Sequence, residues 1–240
     1  VKVLIGTRNP HKLAEILRIL GQIPGIEWVT FRELPFPAIE EWGATLEENA
    51  ALKASRLVEL IGLSTLAEDS GLWVMALGGA PGVRSARFAG SASARGIKPP
   101  SARGIKSDEP IPQAEEPETK DRIIPQAKDY TANNRELLSR LSGQKDRRAR
   151  FRTVAVLALP DGRAWKTEGI LAGHISEAPR GRGGFGYDPV FIPEGETRTL
   201  AELCPEEKDA ISHRRLALEQ LRPILATLTT DRDLRPSPKD

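Results

Sequence analysis

The sequence predicts an α/β protein, and three stretches carry that prediction. Val1 to Gly6 is an apolar run that turns through Thr7-Arg8-Asn9 into a stretch with helical periodicity. Leu63, Thr65, Leu66 and Ala67 form a second apolar run that stops at Glu68-Asp69-Ser70-Gly71. Phe151 to Leu159 and Arg163 to Glu168 flank Pro160-Asp161-Gly162, the pattern of a β-hairpin. Buried strands interleaved with helices are the signature of the α/β class.

Size and composition narrow the function classes. With 240 residues the chain can bury a core as one large domain or two small lobes. A net charge of +2 is too small to argue for nucleic acid. Cys204 is the only cysteine, which excludes an internal disulfide framework and a cysteine-built zinc site. His11, His174 and His213 are scattered without metal-ligand spacing. No stretch approaches the roughly 20 apolar residues of a membrane span. The N-terminal run is too short for a signal-peptide core, so cytoplasmic residence is expected.

After the first strand, Leu13, Ile16, Leu17 and Leu20 fall at i, i+3, i+4 and i+7. Asn9 suits the N-cap and Pro10 the first helical position. Lys12 then lies in the first turn, where free N–H groups, the helix dipole and an ammonium suit a phosphate. The Walker spacing is missing, and an ordinary capped surface helix reads equally well. Trp28 to Phe31 is expected as a second strand, followed by the proline-rich loop Leu34-Pro35-Phe36-Pro37 and the acids Glu40 and Glu41. Thr45-Leu46-Glu47-Glu48 has the form of a capping box. It opens a helix to about Ile61, with Leu46, Ala50, Ala54, Leu57 and Ile61 buried and Asn49, Lys53 and Arg56 on a polar face.

Glu68-Asp69 is expected at a strand's end, where α/β sheets place their chemistry. Glu-Asp-Ser-Gly is equally ordinary turn composition. Beyond it, Leu72 to Leu77 leads to the turn cluster Gly78-Gly79-Ala80-Pro81-Gly82, and Val83 to Phe88 is expected to begin a helix carrying Arg84 and Arg87. From 91 to 129 the character changes. Ser-Ala-Arg-Gly-Ile-Lys occurs at 93–98 and 101–106, Ile-Pro-Gln-Ala at 111–114 and 124–127, and aromatics are absent. Such a segment buries too little apolar surface to offset its ordering entropy, so a disordered insertion is expected.

Thr131 to Leu141 fits a helix with Leu137, Leu138 and Leu141 inward, and Gly169 to Ile175 is expected to pair after the hairpin. Arg180 to Pro189 is a glycine-dense loop before the strand Val190-Phe191-Ile192. Glycine lets a backbone approach a ligand, Phe185 or Tyr187 can stack on a base, and Asp188 can accept hydrogen bonds from one. A plain hairpin loop is the other reading. Pro205 to about Leu228 reads as one long helix containing Lys208, Ser212, His213 and Arg214, kinked or shortened at Pro223. Ser-His-Arg within a helix most simply forms a surface face. Residues 230–240 are expected as a flexible tail.

Six of these stretches, in order, resemble the inosine triphosphate pyrophosphatase family. They are Thr7-Arg8-Asn9-Pro10-His11-Lys12, Glu47-Glu48-Asn49-Ala50 with Lys53, Ala67-Glu68-Asp69-Ser70-Gly71-Leu72, Leu77 to Val83 with Ser85-Ala86-Arg87, Gly184-Phe185-Gly186-Tyr187-Asp188-Pro189, and Ile211-Ser212-His213-Arg214. The chain departs from the family at 91–129, where the family's connection is much shorter. It also carries Glu-Asp where many bacterial members carry Asp-Asp, which moves one carboxylate by a methylene.

The resemblance implies a two-lobed α/β fold around a long mixed sheet with flanking helices, a cleft between the lobes, and a homodimer. It implies hydrolysis of inosine, deoxyinosine and xanthosine triphosphates to monophosphate and pyrophosphate. Magnesium is the implied cofactor, with Glu40 or its neighbour Glu41, Glu68 and Asp69 as candidate ligands. Asp69 is the candidate that activates water. Thr7, Asn9, Lys12 and Lys53 would hold the triphosphate charge, and Arg8, Pro10, His11, Asn49 and Ser70 would also contact the substrate. Phe185, Gly186, Tyr187 and Asp188, with Lys208, His213 and Arg214, would select the base. Two rivals remain: a pyrophosphatase for pyrimidine or modified nucleotides, akin to septum-formation proteins, and a non-enzymatic nucleotide- or RNA-binding protein using the insertion as an arm.

Overall fold

The computed structural model describes residues 1–89 and 130–229; the expected insertion at 91–129 and the tail at 230–240 lie outside the described residues. Strand β1 (Lys2–Ile5) leads into helix α1 (Pro10–Leu20), whose Asn9 cap accepts hydrogen bonds from the backbone N–H groups of His11 and Lys12. Strand β2 (Glu27–Val29) is shorter than expected and starts one residue earlier. Helix α2 (Leu46–Ile61) begins where the Thr45 side chain accepts from Glu48 N and ends at Gly62, whose φ of 74° is the left-handed conformation that favours glycine.

Strand β3 (Ser64–Val74) corrects an expectation: the acidic pair lies in mid-strand, neither in a turn nor at a strand's end. Its partner explains this, because strand β5 (Arg148–Ala158) pairs with it antiparallel from Thr65↔Ala158 to Val74↔Ala149. The short β4 (Pro81–Gly82) also pairs with β3, and a Cβ on Gly71 would lie 2.5 Å from the carbonyl oxygen of Gly82. The helix expected from Val83 is a single 3-10 turn, Ser85–Arg87. After it the Ser85 carbonyl accepts from Tyr187 Oη and Ala89 N donates to Asn133 Oδ1, so neither makes the Ala89 N to Ser85 O bond of an α-helix.

Helix α3 (Tyr130–Arg140) precedes β5, and β6 (Ala164–Ile175) returns as one continuous strand. Strand β7 (Phe191–Pro193) completes a mixed sheet of order β2-β1-β3-β5-β6-β7, with β2, β1 and β3 parallel and the remaining pairs antiparallel. The single long C-terminal helix is in fact two: α4 (Pro205–Ile211) and α5 (His213–Leu228), broken at Ser212, which caps α5 by accepting from Arg215 N. Pro223 does not end α5, which runs through it to Leu228 with the ring exposed.

Period-two alternation along the long strands sorts the core. Ala67, Val154, Val156 and Ala158 pack against Leu46, Ala50 and Ala54 of α2. On the other face, Leu66, Ala155 and Leu157 meet α1 and α5. Farther along the same strands, Leu72, Val74, Ala149 and Phe151 join α3, β7 and the loop carrying Tyr187 in a separate core. The long strands thus run through two lobes, and Asp69 to Gly71 lie at the waist between the cores. No helix among the described residues is long and apolar enough to cross a membrane.

Candidate active site

A cleft of about 920 Å³ opens at this waist. Its lining draws on Thr7 to Lys12, on Asn49 and Lys53 of α2, on Asp69 and Ser70 of β3, on Phe185 to Asp188, and on Lys208, His213 and Arg214. Of the expected site residues, only Glu40 and Glu68 are outside the lining. Glu40 is exposed, whereas Glu41 lines the cleft and pairs with Lys53.

Because neighbouring strand residues face opposite ways, the two acids part company. Asp69 points to the α2 side, where Asn49 Nδ2 donates to its Oδ2 at 3.1 Å and Ser70 N donates to Oδ1 at 2.8 Å. Burial pushes its carboxyl above the usual range and Glu41 adds to that push, while Lys12 and Lys53 oppose it. Lys53 also donates to the backbone carbonyl of Glu68 at 2.9 Å. Glu68 points to the α5 side and is 1% exposed. Arg214 Nε lies 3.0 Å from each of its carboxylate oxygens, and Lys12 Nζ lies 3.4 Å from Oε1. Burial alone would raise the Glu68 carboxyl, but Arg214 and Lys12 hold it down at about 2.

Sequence reasoning missed the hub of the other end. Glu15 of α1 is 3% exposed; its carboxylate accepts from Lys208 Nζ at 2.6 Å and pairs with Arg214 Nη1. Lys208 also reaches Asp188 at 2.5 Å, and Asp188 Oδ2 accepts from Phe185 N at 2.7 Å. Burial works against the Lys208 ammonium, yet Asp188 and Glu15 raise its pKa and keep it charged. Glu15, Asp188 and Glu68 therefore clamp Lys208 and Arg214 in place. Phe185 presents a ring beside these cations, 4.8 Å from Lys208 Nζ and 5.6 Å from the Arg214 guanidinium carbon, and stacks on His11 at 5.4 Å between centroids. Tyr187, the other candidate stacker, is 4% exposed, and its hydroxyl donates to Ser85 O at 2.9 Å. Tyr130, also unforeseen, lines the cleft and receives a hydrogen bond from Asn9 at 3.4 Å.

The cleft has two chemically distinct ends. One gathers Asp69, Glu41, Lys12, Lys53 and the α1 N-terminus, where backbone N–H groups and ammonium groups suit phosphate oxygens. The other sets an aromatic ring beside clamped cations, which suits a flat polar heterocycle. Among the described residues, no three or more His, Cys, Asp and Glu side chains form a ready-made metal cluster. Asp69 and Glu41 supply two hard carboxylates, with Glu41 close enough to raise the proton affinity of Asp69, and magnesium typically takes one or two carboxylates plus substrate phosphates. That donor set fits the ion.

Fold and site together define a two-lobed α/β protein with a cleft at the waist of its sheet, lined by Lys12, Lys53, Lys208 and Arg214. The family model for the Ham1 family matches residues 3–102 and 119–224, and the chain belongs to that family. It is 43% identical over 235 residues to the dITP/XTP pyrophosphatase of an Anaeromyxobacter species, covering 95% of this chain and 98% of that protein. It is 39% identical over 233 residues to the dITP/XTP pyrophosphatase of Mycobacteroides abscessus, covering 95% and 96%. Among solved structures, the Staphylococcus aureus Ham1 protein superposes with a TM-score of 0.72 at 32% identity, covering 95% of this chain and 99% of that one.

Proposed function

We infer that this chain is a nucleoside triphosphate pyrophosphatase that hydrolyses inosine, deoxyinosine and xanthosine triphosphates to the monophosphate and pyrophosphate, clearing deaminated purines from the nucleotide pool. One observation carries the reading: a single cleft sets Asp69 and Lys53 at one end and Phe185 with clamped Lys208 and Arg214 at the other. The names of the relatives, dITP/XTP pyrophosphatase, support the same substrate class.

In this reading the triphosphate lies along the α1 N-terminus with Lys12 and Lys53 on its oxygens. Asp69 takes a proton from a water molecule, which attacks the α-phosphorus. The bond from that phosphorus to the bridging oxygen breaks, and pyrophosphate leaves with the electron pair. A carboxylate whose pKa is raised by burial is the better base, and Asn49 aims it. Glu41 and Asp69 would hold magnesium, which neutralises phosphate charge when bound. Glu68, with both oxygens taken by Arg214, serves instead to position that arginine.

Lys208 and Arg214 are donors for the 6-keto oxygen of hypoxanthine and xanthine. The 6-amino group of adenine would oppose donor to donor, and such mismatches discriminate by roughly 10⁴–10⁵ in well-built sites. Magnesium dependence and homodimer assembly, which the family resemblance implies, belong to the same proposal, as does cytoplasmic residence. Purified protein with magnesium and a panel of triphosphates tests it. Pyrophosphate from inosine triphosphate is expected; orthophosphate alone, or a preference for methylated uridine triphosphate, would overturn it.

A further inference from the structure

Behind the cleft wall a chain of hydroxyls joins the acidic strand to His213. Ser70 Oγ donates to Glu68 Oε2 at 3.2 Å, lies 2.8 Å from Thr153 Oγ1, and accepts from Arg214 Nη2 at 3.3 Å. Thr153 Oγ1 lies in turn 2.5 Å from His213 Nδ1. Thr153 is fully buried on β5, directly across from Ser70 in the antiparallel register, so both hydroxyls face α5. His213 is 5% exposed, stacks on Phe151 at 4.7 Å between centroids, and forms part of the cleft wall. Among the described residues its Nε2 has no hydrogen-bond partner.

Proton counting gives this chain a direction. Glu68, gripped through both oxygens by Arg214, is a carboxylate and can only accept. The single Ser70 proton therefore goes to Glu68, and Arg214 can only donate to Ser70. The Ser70–Thr153 bond then uses the Thr153 proton. With that proton spent, Thr153 can only accept from His213, so Nδ1 carries the hydrogen. Burial and the neighbouring Arg214 keep the ring neutral by pushing its pKa well below the ordinary value. A neutral imidazole has one N–H, which leaves Nε2 bare.

We propose that Thr153, through Ser70 and Glu68, is a positioning residue that holds His213 in the Nδ1–H tautomer, so that the cleft presents an acceptor at Nε2 beside the donors of Lys208 and Arg214. This rests on the base-selecting role proposed for that end of the cleft. An acceptor next to donors complements the lactam edge of a 6-oxopurine, where N1–H sits beside the 6-keto oxygen. Adenine presents the inverse pair, with a bare N1 beside an amino group. The charge of Glu68, on the far side of β3 from Asp69, thereby contributes to substrate choice.

The test has two arms. Nitrogen-15 NMR of ligand-free protein labelled at histidine, with the His213 signals identified by their loss in His213→Gln, reads the tautomer without any turnover. Nδ1–H is expected in the native chain and in Thr153→Ser, with the population shifted toward Nε2–H in Thr153→Val. In the second arm, the ratio of kcat/KM for inosine over adenosine triphosphate is expected to fall about tenfold in Thr153→Val and to recover in Thr153→Ser. An Nε2–H tautomer in the native protein, or one unchanged in Thr153→Val, overturns the proposal even if inosine triphosphate is hydrolysed. Lack of any triphosphate hydrolysis would sink the functional reading while leaving the tautomer measurement to stand alone.

Discussion

Asn49 Nδ2 donates to Asp69 Oδ2 at 3.1 Å, so the helix opened by Thr45 aims the carboxylate at the end of the cleft that holds Lys12 and Lys53. Asn49 also accepts from Gly43 N at 2.8 Å. One amide thus couples the Glu41-bearing loop to the acidic strand.

Asp69→Asn is expected to lower kcat by about 10²–10⁴-fold, the usual worth of a general base. Its thermal midpoint should stay level or rise, because burial disfavours the charge that the substitution removes. Pyrophosphate release and a melting curve check both halves. Native activity in this variant would remove Asp69 from its role.

Glu15→Gln leaves Lys208 and Arg214 short of a buried partner. Breaking a buried ion pair in this one-sided way costs about 3–5 kcal/mol. Urea denaturation should show a loss of that order. A change below about 1 kcal/mol would mean that Asp188 and Glu68 suffice to hold the two cations.

Stability should depend on acid through the same cluster. Glu68 is held at about 2, and Glu15 is also lowered because Arg214 and Lys208 outweigh its burial. A depressed carboxyl contributes stability that is complete above its unfolded value near 4.5 and is lost as pH falls toward the folded value. Denaturant midpoints should therefore drop between neutral pH and about pH 3, and the drop should shrink in Glu15→Gln.

Gly169 of β6 lies against the first turn of α5. A Cβ there would collide with the carbonyl oxygen of His213 and come within 2.6 Å of Ala217 N. Gly169→Ala should push His213 and Arg214 out of place, lowering the melting midpoint and raising KM for inosine triphosphate more than it lowers kcat. An unchanged KM would show that α5 can shift without disturbing the base-selecting role proposed for His213 and Arg214.

Much of this architecture is legible in the residues. Asn9 and Thr45 mark the starts of α1 and α2, and the periodicities of Leu13 to Leu20 and of Leu46 to Leu57 give their buried faces. The motif-bearing stretches reach the cleft together, which family resemblance anticipates. What local pattern cannot supply is partnership across the chain. Glu-Asp-Ser-Gly reads as a turn until β5 pairs with it. Glu15 reads as a solvated helix residue, because Lys208 and Arg214 lie nearly two hundred positions away. The break at Ser212 is equally hidden: serine is common inside helices, and only its bond from Arg215 N marks a cap.

In the proposed reaction a water molecule readied by Asp69 attacks the α-phosphorus. Hydrolysis of inosine triphosphate in oxygen-18 water, with both products weighed by mass spectrometry, tests it most directly. One heavy oxygen is expected in inosine monophosphate and none in pyrophosphate. Heavy oxygen in the pyrophosphate would place the attack on the β-phosphorus and contradict it.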